Sequence, residues 1–113
     1  MLCTHELDAM PNHEWRVLPL LRLLEDSVGE WVFIAMHVPL FAVLIGLIAS
    51  LDKRIRHRSR LGVAGFLVVH AILHALFASH PHYEFHSVLS SLLIYGAGVC
   101  GMGYFLLAVR HPE

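Results

Sequence analysis

The sequence predicts an all-α integral membrane bundle: three transmembrane helices preceded by a polar and interfacial helical segment. Three observations point there. Hydrophobic residues make up 57% of the chain, and the mean hydropathy is +0.63, which is too apolar for a soluble domain. The runs Trp31 to Leu51, Leu61 to Ser79 and Ser87 to Val109 contain no Asp, Glu, Lys or Arg. Each approaches the ~20 residues a helix needs to cross a hydrocarbon core of roughly 30 Å. Finally, 113 residues are too few to surround three such helices with polar layers.

The elements follow in order within a single membrane domain, residues 1–113. Residues 1–29 carry His5-Glu6-Leu7-Asp8 and His13-Glu14, then the apolar stretch Val17 to Leu24. That stretch is too short to span, and Pro19 limits it to a short or broken helix. It reads as a membrane-resting segment, with Trp15 and Trp31 as headgroup-level anchors. Residues 31–51 form the first span. Pro39 removes a backbone donor there, so it should bend the helix and free the Ala35 carbonyl near His37. Residues 52–60 form a basic loop, 61–79 the second span, 80–86 a histidine-rich loop and 87–109 the third span. A helical start near Pro81, where proline suits a first turn, would put His82 and His86 on one face. Gly96, Gly98 and Gly101 match G-x-G-x-x-G, but without a preceding strand they are no dinucleotide loop. Ala97 and Gly101, like Ala42, Gly46 and Ser50, instead form small-residue stripes for close helix packing. Cys3 and Cys100 should not pair, and neither has a CxxC neighbour. The first ten residues lack the basic start and apolar core of a cleavable signal peptide.

Charge orients the spans. Five of the eight Lys and Arg residues lie in Lys53-Arg54-Ile55-Arg56-His57-Arg58-Ser59-Arg60. The positive-inside rule places this loop and the C-terminus, with Arg110 and His111, in the cytoplasm, and the N-terminus and the 80–86 loop outside. The expected location is therefore the inner (cytoplasmic) membrane, with membrane lipids as neighbours. The net charge of −1 offers no nucleic-acid footprint.

Topology from Lys and Arg alone then gathers the histidines. His37 lies inward of Trp31, and His74 and His70 inward of Ser79, at depths of about 9, 8 and 14 Å for 1.5 Å per residue. Together with His5, His13, His80, His82 and His86, they put eight of the ten histidines at one membrane face. Glu6, Asp8, Glu14, Glu30 and Glu84 stand at the same level. Imidazoles and carboxylates are costly in lipid and there mark functional positions.

The spacings suit a metal. His70 and His74 are i,i+4 on one helix, His82 and His86 repeat that spacing, and His5 and Asp8 are i,i+3. The preferred ligands are His5, Asp8, His70, His74 and His86, and mixed imidazole and carboxylate donors suit a divalent metal such as zinc or iron. Glu6 or Glu14 is the candidate catalytic base for metal-bound water in a hydrolase acting on a lipid-like substrate. Each group also has a plainer role: histidine pairs bond to backbone or neighbouring helices, loop histidines sit at the interface, and acids are solvated. Two other functions stay open. His37 with His70 or His74 would clamp a b-type haem as cofactor between helices. Alternatively, the chain is a metal- or proton-handling accessory subunit. A lone three-span subunit of that kind would have to form a homo-oligomer to conduct anything.

Thr4-His5-Glu6-Leu7-Asp8-Ala9, followed by Glu14-Trp15-Arg16 and Pro19, resembles a family of small uncharacterised bacterial membrane proteins with a T-H-E-L-D-A opening and a nearby E-W-R. More distantly it is similar to the HXXEE family, although Asp8-Ala9 stand where that family has two glutamates. The resemblance implies a membrane helical bundle whose histidines and acids form a metal or catalytic site, and it supplies no reaction. In such proteins the motif ends an N-terminal membrane helix, whereas this sequence begins almost at the motif; whether a further helix precedes it stays open.

Overall fold

The computed structural model describes residues 1–110, and His111 lies outside them. The secondary structure of the described residues is helical, without a strand. Helix α1 covers Leu2–Ala9, α2 Asp26–Ile48, α3 Lys53–Phe77 and α4 Val88–Arg110, with 3-10 turns at Glu14–Arg16 and Leu21–Leu23 between α1 and α2. α2, α3 and α4 are long and apolar enough to cross a membrane. The long dimension is 45 Å, close to a bilayer with its headgroups, about 40–45 Å. The outward-facing residues of the long helices are apolar: Val38, Leu76 and Val99 are each about 70% exposed. In water such surfaces would aggregate; in lipid they are solvated.

Helix bounds depart from the expected spans at identifiable signals. The basic stretch 53–60 forms the first turns of α3 rather than a loop. Asp52 caps that helix by accepting from the amides of Arg54 (2.8 Å) and Ile55 (3.1 Å). A good cap offsets the poor placement of basic residues at the positive end of the helix dipole. α4 begins at Val88, not near Pro81, because Ser87 provides the start signal: its Oγ accepts from Ser90 N at 2.9 Å. The segment before it, 83–86, lies outside any helix, and the His86 amide donates to the Glu84 carbonyl at 2.9 Å. The interfacial stretch Val17 to Leu24 contains one 3-10 turn, in keeping with Pro19.

α1 packs against α4. Its start runs beside the middle of α4, where Met1 Cε fills the space over Gly96 and Met1 Sδ lies 3.9 Å from Cys100 Sγ. Both cysteines are free thiols.

The tightest helix pair is α3 with α4. A Cβ on Gly98 would lie 2.8 Å from Ala71 Cβ, and one on Gly101 would lie 2.6 Å from the Ala64 carbonyl oxygen. The Ala97/Gly101 stripe thus packs, as small residues at membrane interfaces do. The Ala42/Gly46/Ser50 stripe differs: nothing lies within 4 Å of a Cβ on Gly46. On a different face of α2 lies a largely apolar cavity of about 390 Å³, lined by Leu40, Phe41, Leu44, Gly62 and Phe66, with Glu6 and Ser59 also on its wall. The dense core sits at the other end of the bundle, where Ala9, Trp15, Phe33, Tyr83, Phe85 and Ile94 cluster.

Candidate metal centre

Four side chains from three segments meet at this core. α1 supplies His5, the first 3-10 turn Glu14, and α3 both His70 and His74 one turn apart. One ligand atom from each lies within 4.8 Å of all the others. His5 Nε2 is 2.8 Å from His70 Nε2, and His74 Nε2 is 3.2 Å from His70 Nε2. The Glu14 oxygens stand 3.6 Å from His74 Nε2 and 3.9 Å from His5 Nε2. Donors about 2.0–2.1 Å from a tetrahedral zinc are roughly 3.3 Å apart, and these separations bracket that edge.

The group is poorly satisfied by its own hydrogen bonds. Three Nε2 atoms converge, and a neutral imidazole nitrogen carries either one proton or one lone pair. At best His70 shares a single lone pair between two donors, whereas a cation would meet all three lone pairs at once. Glu14 Oε2 and His5 Nδ1 are buried without a partner. Burial pushes the His5 imidazolium down to about 4, so this ring is neutral and ligand-competent at neutral pH. Burial pushes the Glu14 carboxyl up, but the His74 hydrogen bond and the charges of His5, His74 and His70 outweigh it and hold it below its ordinary value. His74 Nδ1 lies 3.2 Å from Tyr83 Oη. That contact leaves Nε2 for the cluster, as an outer partner does for a metal-ligating histidine.

The backbone explains Glu14. His13 adopts a left-handed conformation at φ 49°, which costs roughly 1–3 kcal/mol for a residue with a side chain. The reversal turns Glu14 inward while its neighbours are tied to other elements. Trp15 Nε1 donates to Asp26 Oδ1 at 2.9 Å, and Arg16 donates twice to the same carboxylate at 2.7 and 2.6 Å. Glu84 lies 2.8 Å from His13 Nδ1 and accepts from Arg16 at 3.5 Å. The His13 hydrogen bond, with the His13 and Arg16 charges, holds Glu84 below the usual carboxylate range. A depressed carboxyl stabilises the fold above its unfolded value, about 4.3 for glutamate, and that contribution is lost as pH falls through the depressed value. Thermal unfolding in detergent should therefore show Glu84→Gln melting below the unsubstituted protein at neutral pH, with the gap closing in acid. A gap independent of pH would disprove the tie.

The remaining predicted residues lie elsewhere. Asp8 shares α1 with His5 but is outside the four-residue group, and its buried Oδ2 has no partner. His86 is exposed and rests against Tyr83, with ring centres 5.7 Å apart. Burial alternates along this stretch: Tyr83 and Phe85 are buried, while His82, Glu84 and His86 are exposed. His82 and His86 therefore do not share a helix face. Glu6 and His37 form their own buried pair at 2.8 Å. His37 Nδ1 also lies 2.6 Å from the Phe33 carbonyl, one turn away, rather than near that of Ala35. Both ring nitrogens of His37 thus have hydrogen-bond partners. Burial, then the Glu14 charge, push the Glu6 carboxyl up. The sequence reading missed Tyr83 and Phe85 as aromatic walls of the site, beside His5 and His74; the alternation Tyr83-Glu84-Phe85-His86 was the available signal.

No curated protein and no solved structure matches the chain. A family model matches residues 1–111, and the chain belongs to that family, a family of unknown function (DUF6713).

Proposed function

We propose that this protein is a multi-pass membrane metalloenzyme that binds one divalent metal, zinc or iron, and uses it to hydrolyse a lipid-like ester. The convergence of His5, His70 and His74 Nε2 atoms beside the buried Glu14 carboxylate carries this reading. Three imidazoles leave a fourth position for water, as hydrolytic zinc sites require. Glu14 stands farther from the nitrogens than two of them stand from His70, and its free oxygen suits a base better than a fourth ligand. In the reaction the water oxygen bonds to the acyl carbon as Glu14 takes one of its protons. The bond from the acyl carbon to the leaving oxygen then breaks, and Glu14 returns the proton to that oxygen, giving a carboxylic acid and an alcohol. The basic start of α3 supports, by the positive-inside rule, a cytoplasmic position for its end of the bundle and an outward-facing site in the inner membrane.

Metal analysis of protein reconstituted in lipid nanodiscs tests the reading, together with hydrolysis of a p-nitrophenyl acyl ester. The expectation is about one metal per chain, retained in Glu14→Gln, whose hydrolysis falls by roughly 10²-fold or more. Protein without metal, or a Glu14→Gln variant as active as the unsubstituted chain, would overturn it.

A further inference from the structure

Beside the four-residue group lies a cavity of about 180 Å³. Its polar lining is Glu14, His70 and His74 with the Tyr83 ring; Val17, Leu18, Leu73, Phe77 and Phe85 are among its apolar walls. The unpartnered Glu14 Oε2 belongs to a residue that lines it and is only 6% exposed. Away from that polar edge the walls Val17, Leu18, Leu73 and Phe77 offer none of the two to four polar partners that water needs. An engineered apolar cavity of about 150 Å³ stays dry and takes a six-carbon ring. We infer that this cavity is the tail subsite of the metal centre: it takes an alkyl chain of roughly six carbons whose polar head reaches the metal. The inference rests on the proposed metal site and narrows its substrate to acyl compounds of short to medium chain length.

Length selection follows from the walls. Each methylene that enters leaves water or headgroup for an apolar surface, and each beyond the cavity's capacity gains nothing from the protein. Val17 and Leu18 come from the chain just after the Glu14 turn, and Leu73 and Phe77 from the helix that carries His70 and His74. The head and tail positions are thus built on the same elements, so their separation is fixed by the fold.

Alkyl hydroxamates, which chelate zinc through their heads, test the subsite without turnover. Acetyl, butyryl, hexanoyl, octanoyl and decanoyl hydroxamates are titrated against zinc-loaded Glu14→Gln protein in nanodiscs, with affinities corrected for partition into the bilayer. Affinity should rise roughly fourfold per methylene to about hexanoyl and then level off. Leu73→Trp, which fills part of the space, should keep its metal, weaken hexanoyl hydroxamate more than about tenfold and move the plateau to shorter chains. Binding of every hydroxamate with no dependence on chain length would overturn the tail subsite alone, leaving the cavity to bilayer acyl chains. Failure of the protein to take up zinc would overturn the metal reading, and binding of no hydroxamate by zinc-loaded protein would overturn its open metal position and the subsite with it.

Discussion

A His70→Ala/His74→Ala double variant should be purified with less than a tenth of the metal carried by the unsubstituted chain, measured by elemental analysis. The two rings supply two of the three converging nitrogens, and both come from one face of α3. Removing them leaves His5 and Glu14, a pair too sparse for a tetrahedral site. The fold should survive the change. His74 is buried, but it stands beside Tyr83 and Phe85 with ring contacts at 5.8 and 4.8 Å, and loss of these costs about 0.5–1.5 kcal/mol per pair. Retained helical circular dichroism with lost metal separates ligation from folding. Equal metal content in both proteins would remove the group from consideration as a metal centre.

The second large effect is expected far from the site. Gly101→Val should disrupt the α3–α4 crossing, because even the first carbon of the new side chain would lie 2.6 Å from the Ala64 carbonyl oxygen and 3.0 Å from Leu67 Cβ. Backbone cannot rotate away as a flexible side chain can, so the helices must separate. Overpacking of this kind costs about 1–3 kcal/mol or more, read as a lower midpoint of unfolding in detergent. Gly103→Val is the control, since nothing lies within 4 Å of a Cβ there. Equal midpoints for the two variants would show that the crossing is looser than described.

The three long helices were legible because their signal is composition summed over some twenty residues, and no local detail can hide it. Their ends were not. Asp52 and Ser87 are short polar caps whose hydrogen bonds decide where α3 and α4 begin, and each is a single residue beside louder features, a basic run and a proline. His70 and His74 were legible as a pair because helical spacing alone puts them on one face. His5 and Glu14 were visible as residue types, but their arrival at that face depends on the reversal at His13, which no periodicity announces. Asp8 and His86 show the opposite case. Both have ligand chemistry and suitable spacing, yet they stand outside the group, His86 because its segment forms no helix and leaves it exposed. Glu6 and His37 were each read as site residues; their pairing across α1 and α2 was a tertiary fact without a local trace.

The placement of α1 also bears on how the molecule is assembled. His5 leaves the ribosome long before His70, sixty-five positions later, so the site cannot exist on a nascent chain until α3 is in the bilayer. α1 has its slot only after α3 and α4 have paired, and it docks against α4 with Met1 beside Cys100. A metal joining His5 to His70 would then act as a reversible cross-link closing a loop of that length, a constraint of about 4 kcal/mol by chain entropy. Metal supply would thereby set not only activity but the lifetime of the assembled bundle, with the metal-free chain the first to open and be cleared.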